Sequence, residues 1–237
     1  MNITELVFNN LYDLIEYGDE TPSPRGAEGY MLDITGQTIY TATPFEGYCV
    51  PKCILTDLRG LAEYELEFID GVRDSDADKL GYTYHSLYAK NYDALVAKLK
   101  ADPWTRQGLL PVAGEKFWSL GEDKPCLVDL MFRLHSNEKL CVTAVFRSND
   151  AVKAMPMNLW VIARLLKRVA EDTGLEPGGV VYFANSMHCY PQDRDKLKAY
   201  VNRWENNYWR ADETLGWTEA EYLEVLEEVR RERGIKS

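Results

Sequence analysis

Cys126 follows Lys124 and Pro125 at the head of an apolar strand pattern, and Arg147 stands where the returning strand of the same hairpin pattern ends. An antiparallel return brings these two residues together, and a guanidinium near a thiol favours the thiolate, the nucleophilic form. Arg147 and Ser148 offer a fork of donors and a hydroxyl, a set suited to a phosphate. Asn158 carries a donor and an acceptor in one amide and can pair with the O4/N3 edge of a uracil base. His188 and Tyr190 alternate along a strand, so both can face a sugar hydroxyl. Taken singly, each has an ordinary reading: a free cysteine on an apolar strand is a small core residue, and an asparagine before a helix is a cap. The functional reading rests on the set.

The elements that must position these residues can be read from periodicity. The segment from Cys126 to Leu134 alternates, with Cys126, Val128, Leu130, Phe132 and Leu134 expected on one side. His135 to Glu138 makes the turn, and Leu140 to Arg147 returns. Asn158 to Asp172 has helical spacing of apolar residues, with Gly174 as its stop, and Gly179 to Asn185 reads as a buried strand. Earlier in the chain, the LVFNNLYDLIEY segment predicts an amphipathic helix. A strand–turn–strand is expected over Met31 to Thr41, and helices over 56–70 and Tyr92 to Lys100. The last helix opens on a Thr218…Glu221 capping box. Strands and helices mix without strict alternation. This predicts an α+β fold, one domain over residues 1–237, built on a mixed or mostly antiparallel sheet packed with helices.

Bulk properties narrow the function classes. A net charge of −11 disfavours broad nucleic-acid binding, so an anionic ligand must be held by a few local arginines. Apolar runs fall well short of a membrane span, and the first residues lack the pattern of a secretory signal, so a cytoplasmic protein is expected. Five cysteines without repeated spacing do not suggest a disulfide framework. Cys49 and Cys53 supply only half of a zinc site, and no metal is expected.

The four blocks KPC, RSND, PMN and HCY, in this order and spacing, resemble the signature of the thymidylate synthase family. The intervals from Asp150 to Asn158 and from Asp150 to His188 fit that signature without gaps, and the Cys126 to Arg147 interval needs one extra residue in the turn. Weaker matches lie upstream. YELEF resembles the segment carrying the family's catalytic glutamate and points to Glu65, while YTYH points to Tyr84 as its active-site tyrosine. PRG places Arg25 at the family's mobile phosphate-binding arginine, and the helix followed by DPWTRQG places Arg106 at another. The resemblance implies a thymidylate synthase-like fold, with Cys126 adding to C6 of a pyrimidine nucleoside monophosphate, dUMP in first place. It implies Glu65 as general acid–base and 5,10-methylenetetrahydrofolate as co-substrate, with Asp150 contacting its pterin. Arg25, Arg106, Arg147 and Ser148 would hold the phosphate, Arg106 across a homodimer interface, and Asn158, His188 and Tyr190 the nucleoside.

Several positions depart from the family pattern. Leu127 stands where the family has a histidine after the nucleophile, Gln107 replaces a second phosphate arginine, and Ala154 replaces a glycine. The charged ERGIKS ending also lacks the apolar tail that closes over folate. Such departures suggest a divergent branch, which leaves 5-hydroxymethylation of a uridylate or cytidylate, or nucleotide binding without catalysis, as the alternatives. Asn158, rather than an aspartate, favours a uracil base.

Overall fold

The computed structural model describes residues 1–23, 29–53, 58–72, 81–114, 117–119 and 124–235. Its first elements are α1 (Ile3–Tyr17), β1 (Asp19–Pro22), β2 (Tyr30–Thr41), β3 (Val50–Pro51) and α2 (Arg59–Glu65). A π-helical turn (Leu66–Asp70) continues α2, followed by α3 (Tyr84–Ala101), β4 (Leu109–Pro111), β5 (Leu127–Leu134), β6 (Lys139–Phe146) and β7 (Asn149–Asp150). Then come α4 (Met155–Thr173), β8 (Glu176–Cys189), α5 (Arg194–Asn206), β9 (Gly216–Trp217) and α6 (Glu219–Glu232).

The organising element is β8, longer than the strand predicted from its apolar centre. It pairs antiparallel with β2 on one side and parallel with β6 and β7 on the other, within the order β1-β2-β8-β6-β5-β4. Parallel neighbours need a crossover, and α4 supplies it by lying over the sheet. Close approach explains one glycine: a Cβ on Gly179 would stand 2.4 Å from the Thr41 carbonyl oxygen. One sheet face is buried under α1, α3 and α4. The other leaves Tyr40 and Met131 exposed and Val145, Val181 and Phe183 half-buried.

α4 is buried on much of its circumference, with Leu159, Trp160, Val161, Ile162, Leu165 and Leu166 all at or near zero exposure. Each such side chain contributes about 1.5–3 kcal/mol relative to exposure, so this helix anchors the core that α1, α2, α3 and α6 share with the sheet. Its stop is as expected: Gly174 is left-handed, with φ 73°.

Several expectations are corrected. Met31 to Thr41 is part of one unbroken strand; Gly36 takes φ 74° without shifting the pairing with β8. α3 begins at Tyr84, eight residues before Tyr92, because Thr83 and Ser86 form a capping box there. α4 begins at Met155, so Asn158 is not its cap. The strict alternation from Cys126 fails at a bulge between Leu127 and Asp129, which lets Leu127 and Leu130 both point into the core. α6 does open on the Thr218–Glu221 capping box. It is more than a surface helix, because Tyr222, Leu226 and Val229 are buried. No helix among the described residues is long and apolar enough to cross a membrane.

Candidate active site

A cavity of about 500 Å³ opens where the ends of β5, β6 and β8 meet the starts of α3 and α4. Its walls include Cys126, Arg147, Ser148, Asp150, Asn158, His188 and Tyr190, so the four sequence blocks share one space. The register of β8 explains this. Asn149 lies beside Met187 and Asp150 beside His188, which places the segment after β6 against the end of β8.

Cys126 differs from the other four cysteines. Cys49, Cys53, Cys141 and Cys189 are buried, whereas Cys126 is half-buried and faces the cavity. Burial pushes the Cys49 thiol up to about 11 and those of Cys53 and Cys189 up to about 12, so these remain inert protonated thiols at neutral pH. Arg147 holds the turn that presents Cys126. Its amide donates to the Cys126 carbonyl at 2.9 Å, Nε to the Pro125 carbonyl at 3.0 Å and Nη2 to the Lys124 carbonyl at 2.8 Å. The guanidinium is thus a clamp on the cysteine loop as well as a cation at the cavity wall.

Tyr84 meets Cys126 from the start of α3. Its hydroxyl oxygen is 3.4 Å from the Leu127 amide, from which it accepts. Burial, reinforced by Cys126, pushes this hydroxyl well above its ordinary value, so it stays protonated. Phe68 fixes the ring, with centroids 5.3 Å apart. Asp150 turns the chain into α4, its Oδ1 accepting from the amides of Val152 (2.9 Å) and Lys153 (3.0 Å) and leaving Oδ2 for a ligand. His188 is 5% exposed, with Nδ1 at 3.4 Å from both Ser148 Oγ and Ser186 Oγ, and its ring packs edge-on against Tyr190.

Burial lowers the His188 pKa from its ordinary value of 6.5, outweighing the opposite pull of Asp150 and Asp33. The imidazole is therefore neutral at neutral pH. Because its folded-state pKa is depressed, its contribution to stability is present above about pH 6.5 and is lost as pH falls through the folded value. An NMR titration of the ring is expected to show a midpoint below 6.5; a midpoint above it would contradict this electrostatic picture.

Two predicted residues are placed elsewhere, and a third lies outside the described residues. Glu65 is 2% exposed and faces away from the cavity. Both its oxygens accept from Arg164 Nε at 3.1 Å, and Oε2 also accepts from the Tyr222 hydroxyl at 2.6 Å. The glutamate on the cavity wall is Glu67, together with Tyr64, one helical turn before it on the same face. Spacing carried a signal for this: Glu65 lies four residues after Leu61, on the stripe with Ala62, Leu66 and Ile69 that faces the core. Arg106 is exposed between α3 and β4, outside the cavity of its own chain. Arg25 lies outside the described residues.

Asn158 projects from the first turn of α4, and its Oδ1 accepts from the Tyr64 hydroxyl at 2.6 Å. That partner was not foreseen, nor was the presence of Glu67, Tyr82, Thr83, Lys124 and Asn149 in the wall. Lys124 and Asn149 sit inside the KPC and RSND blocks, which was the available signal.

Comparison with known proteins agrees with this arrangement. The profile of the family described as thymidylate synthase matches residues 72–213. A Methanosarcina mazei protein, named provisionally as a thymidylate synthase, is 30% identical over 211 residues, covering 84% of this chain and 92% of its own length. The thymidylate synthase of Streptococcus thermophilus is 27% identical over 143 residues, 57% of this chain and 50% of its own length. The solved structure of a thermostable thymidylate synthase A from Bacillus subtilis shares the fold, with a TM-score of 0.67, 18% identity and coverage of 85% of this chain and 84% of that one.

Proposed function

Because the chain belongs to the thymidylate synthase family, we propose that it transfers a one-carbon unit to C5 of a pyrimidine nucleoside 5′-monophosphate, with dUMP as the preferred substrate. The observation that carries this reading is the placement of Cys126: of the five cysteines, it alone faces the cavity that also holds Arg147, Ser148, Asn158 and His188.

In this reading Arg147 and Ser148 hold the phosphate, His188 and Tyr190 meet the sugar, and the Asn158 amide meets the base edge. Sγ of Cys126 bonds to C6, and the C5–C6 π electrons move towards C5 and O4, making C5 nucleophilic. Glu67 serves the proton changes at O4 and C5, in the place first assigned to Glu65. The neutral Tyr84 hydroxyl donates to a water or base at C5. C5 bonds to the one-carbon unit and its proton passes to a base; hydride or water then adds to the exocyclic carbon as the C6–Sγ bond breaks, which restores the ring and regenerates the Cys126 thiolate.

The donor set at the rim suits a pterin: the carboxylate of Asp150, with one oxygen already fixed by backbone amides, can accept from ring N–H groups. Methylenetetrahydrofolate, when bound there, supplies the one-carbon unit. Arg106, exposed and outside its own cavity, is suited to reach the phosphate of a second copy. The open sheet face with Tyr40, Met131 and Phe183 is the surface through which such a homodimer would form.

The test is release of tritium from C5 of labelled dUMP, UMP, dCMP and CMP in the presence of methylenetetrahydrofolate. Release from dUMP first is expected, and product mass then separates a methyl from a hydroxymethyl group. No release from any of the four would overturn the reading.

A further inference from the structure

The base-recognising amide is not independent of the wall behind it. Asn158 is 5% exposed, and its Oδ1 is engaged by the Tyr64 hydroxyl at 2.6 Å. The neighbouring Tyr182 oxygen accepts from Asn149 Nδ2 at 2.7 Å. Tyr182 is fully buried and stacked on Phe146, so it cannot move aside. Tyr64 in turn is held edge-on against Phe68. Burial pushes both phenols well above their ordinary values, so both stay protonated. The amide oxygen is therefore held by a hydroxyl whose own ring is fixed, with Oδ1 on the Tyr64 side.

We propose that Tyr64 is a positioning residue that sets which pyrimidine the site accepts, by fixing the order of donor and acceptor that Asn158 presents to the base. This inference rests on the assignment of the cavity as a pyrimidine nucleotide site. A carbonyl oxygen has two lone pairs, so Oδ1 can hold the Tyr64 hydrogen bond and still accept N3–H of uracil while Nδ2 donates to O4. A cytosine edge presents the reverse order, an N4 donor and an N3 acceptor. Serving it requires the amide to turn over, so that Nδ2–H faces the Tyr64 oxygen and the Tyr64 hydroxyl hydrogen loses the acceptor it now has. Tyr64→Phe keeps the ring and its packing on Phe68 but frees the amide to turn.

The experiment is direct binding of dUMP and dCMP to wild type and to Tyr64→Phe, with thermal unfolding as the check on folding. Wild type is expected to prefer dUMP, and the variant to reduce that preference about tenfold, the weight of one hydrogen bond, chiefly by gaining affinity for dCMP. A role limited to packing would weaken both nucleotides together. If wild type prefers dUMP and the variant keeps the same ratio, the inference about Tyr64 is overturned and the site assignment stands. If wild type binds neither nucleotide, the site assignment falls and this inference with it.

Discussion

Cys126→Ser is expected to reduce C5 tritium release by at least about 10³-fold while leaving the affinity for the nucleotide within a few-fold of wild type. A serine hydroxyl ionises far less readily than a thiol and is a much poorer nucleophile, so removing the attacking group removes a whole covalent route. Binding persists because the groups assigned to the phosphate, sugar and base remain: Arg147 still clamps the loop through the Lys124 and Pro125 carbonyls, and neither bond involves the thiol. Parallel loss of binding would mean that Cys126 serves packing rather than chemistry.

The second large effect separates two neighbouring acids. Glu65→Ala is expected to destabilise the fold by about 3 kcal/mol, the lower part of the range for breaking a buried pair. It strips Arg164, a side chain only 14% exposed, of the carboxylate that its Nε donates to and leaves the Tyr222 hydroxyl without its acceptor. Glu219, 3.2 Å from Arg164 Nη1, offsets part of the loss, which sets the estimate at that lower end. Glu67→Gln is expected to do the opposite: about 10²–10⁴-fold slower turnover, as for loss of a general acid–base, with little change in unfolding. Denaturant melts of both variants, beside their turnover rates, check the pair. A turnover defect in Glu65→Ala that persists when the protein is demonstrably folded would return the acid–base role to Glu65.

This pair also shows where reading the sequence stops. The hairpin from Leu127 to Phe146, the Asp150 turn and the end of β8 follow from local alternation and short-range pairing. The blocks that they carry therefore converge on one cavity much as their spacing implies. Glu65 and Glu67 differ only in which side of a helix faces the cavity. That choice depends on Arg164 and Tyr222, 99 and 157 residues away in sequence, so nothing local announces it. Asn158 was open to misreading for the same reason: as a cap it would need only its own helix, whereas its actual partner, Tyr64, is 94 residues distant. The bulge at Leu127 escaped because alternation assumes an unbroken ladder, and only pairing with β6 reveals the extra residue. Tyr84 was reached only through the resemblance of YTYH: the Thr83 and Ser86 cap that begins α3 there went unread, so the helix was expected from Tyr92.

The most direct test of the central claim is whether Cys126 forms a bond to C6 of the nucleotide. Wild type incubated with 5-fluoro-dUMP and methylenetetrahydrofolate should gain the mass of both, with the added mass on the peptide that contains Cys126 after digestion. The fluorine cannot leave C5 as a proton does, so the adduct should accumulate. Tight binding of the analogue with no covalent mass at Cys126 would contradict the account, because the cavity would then hold the nucleotide without the thiol attacking it.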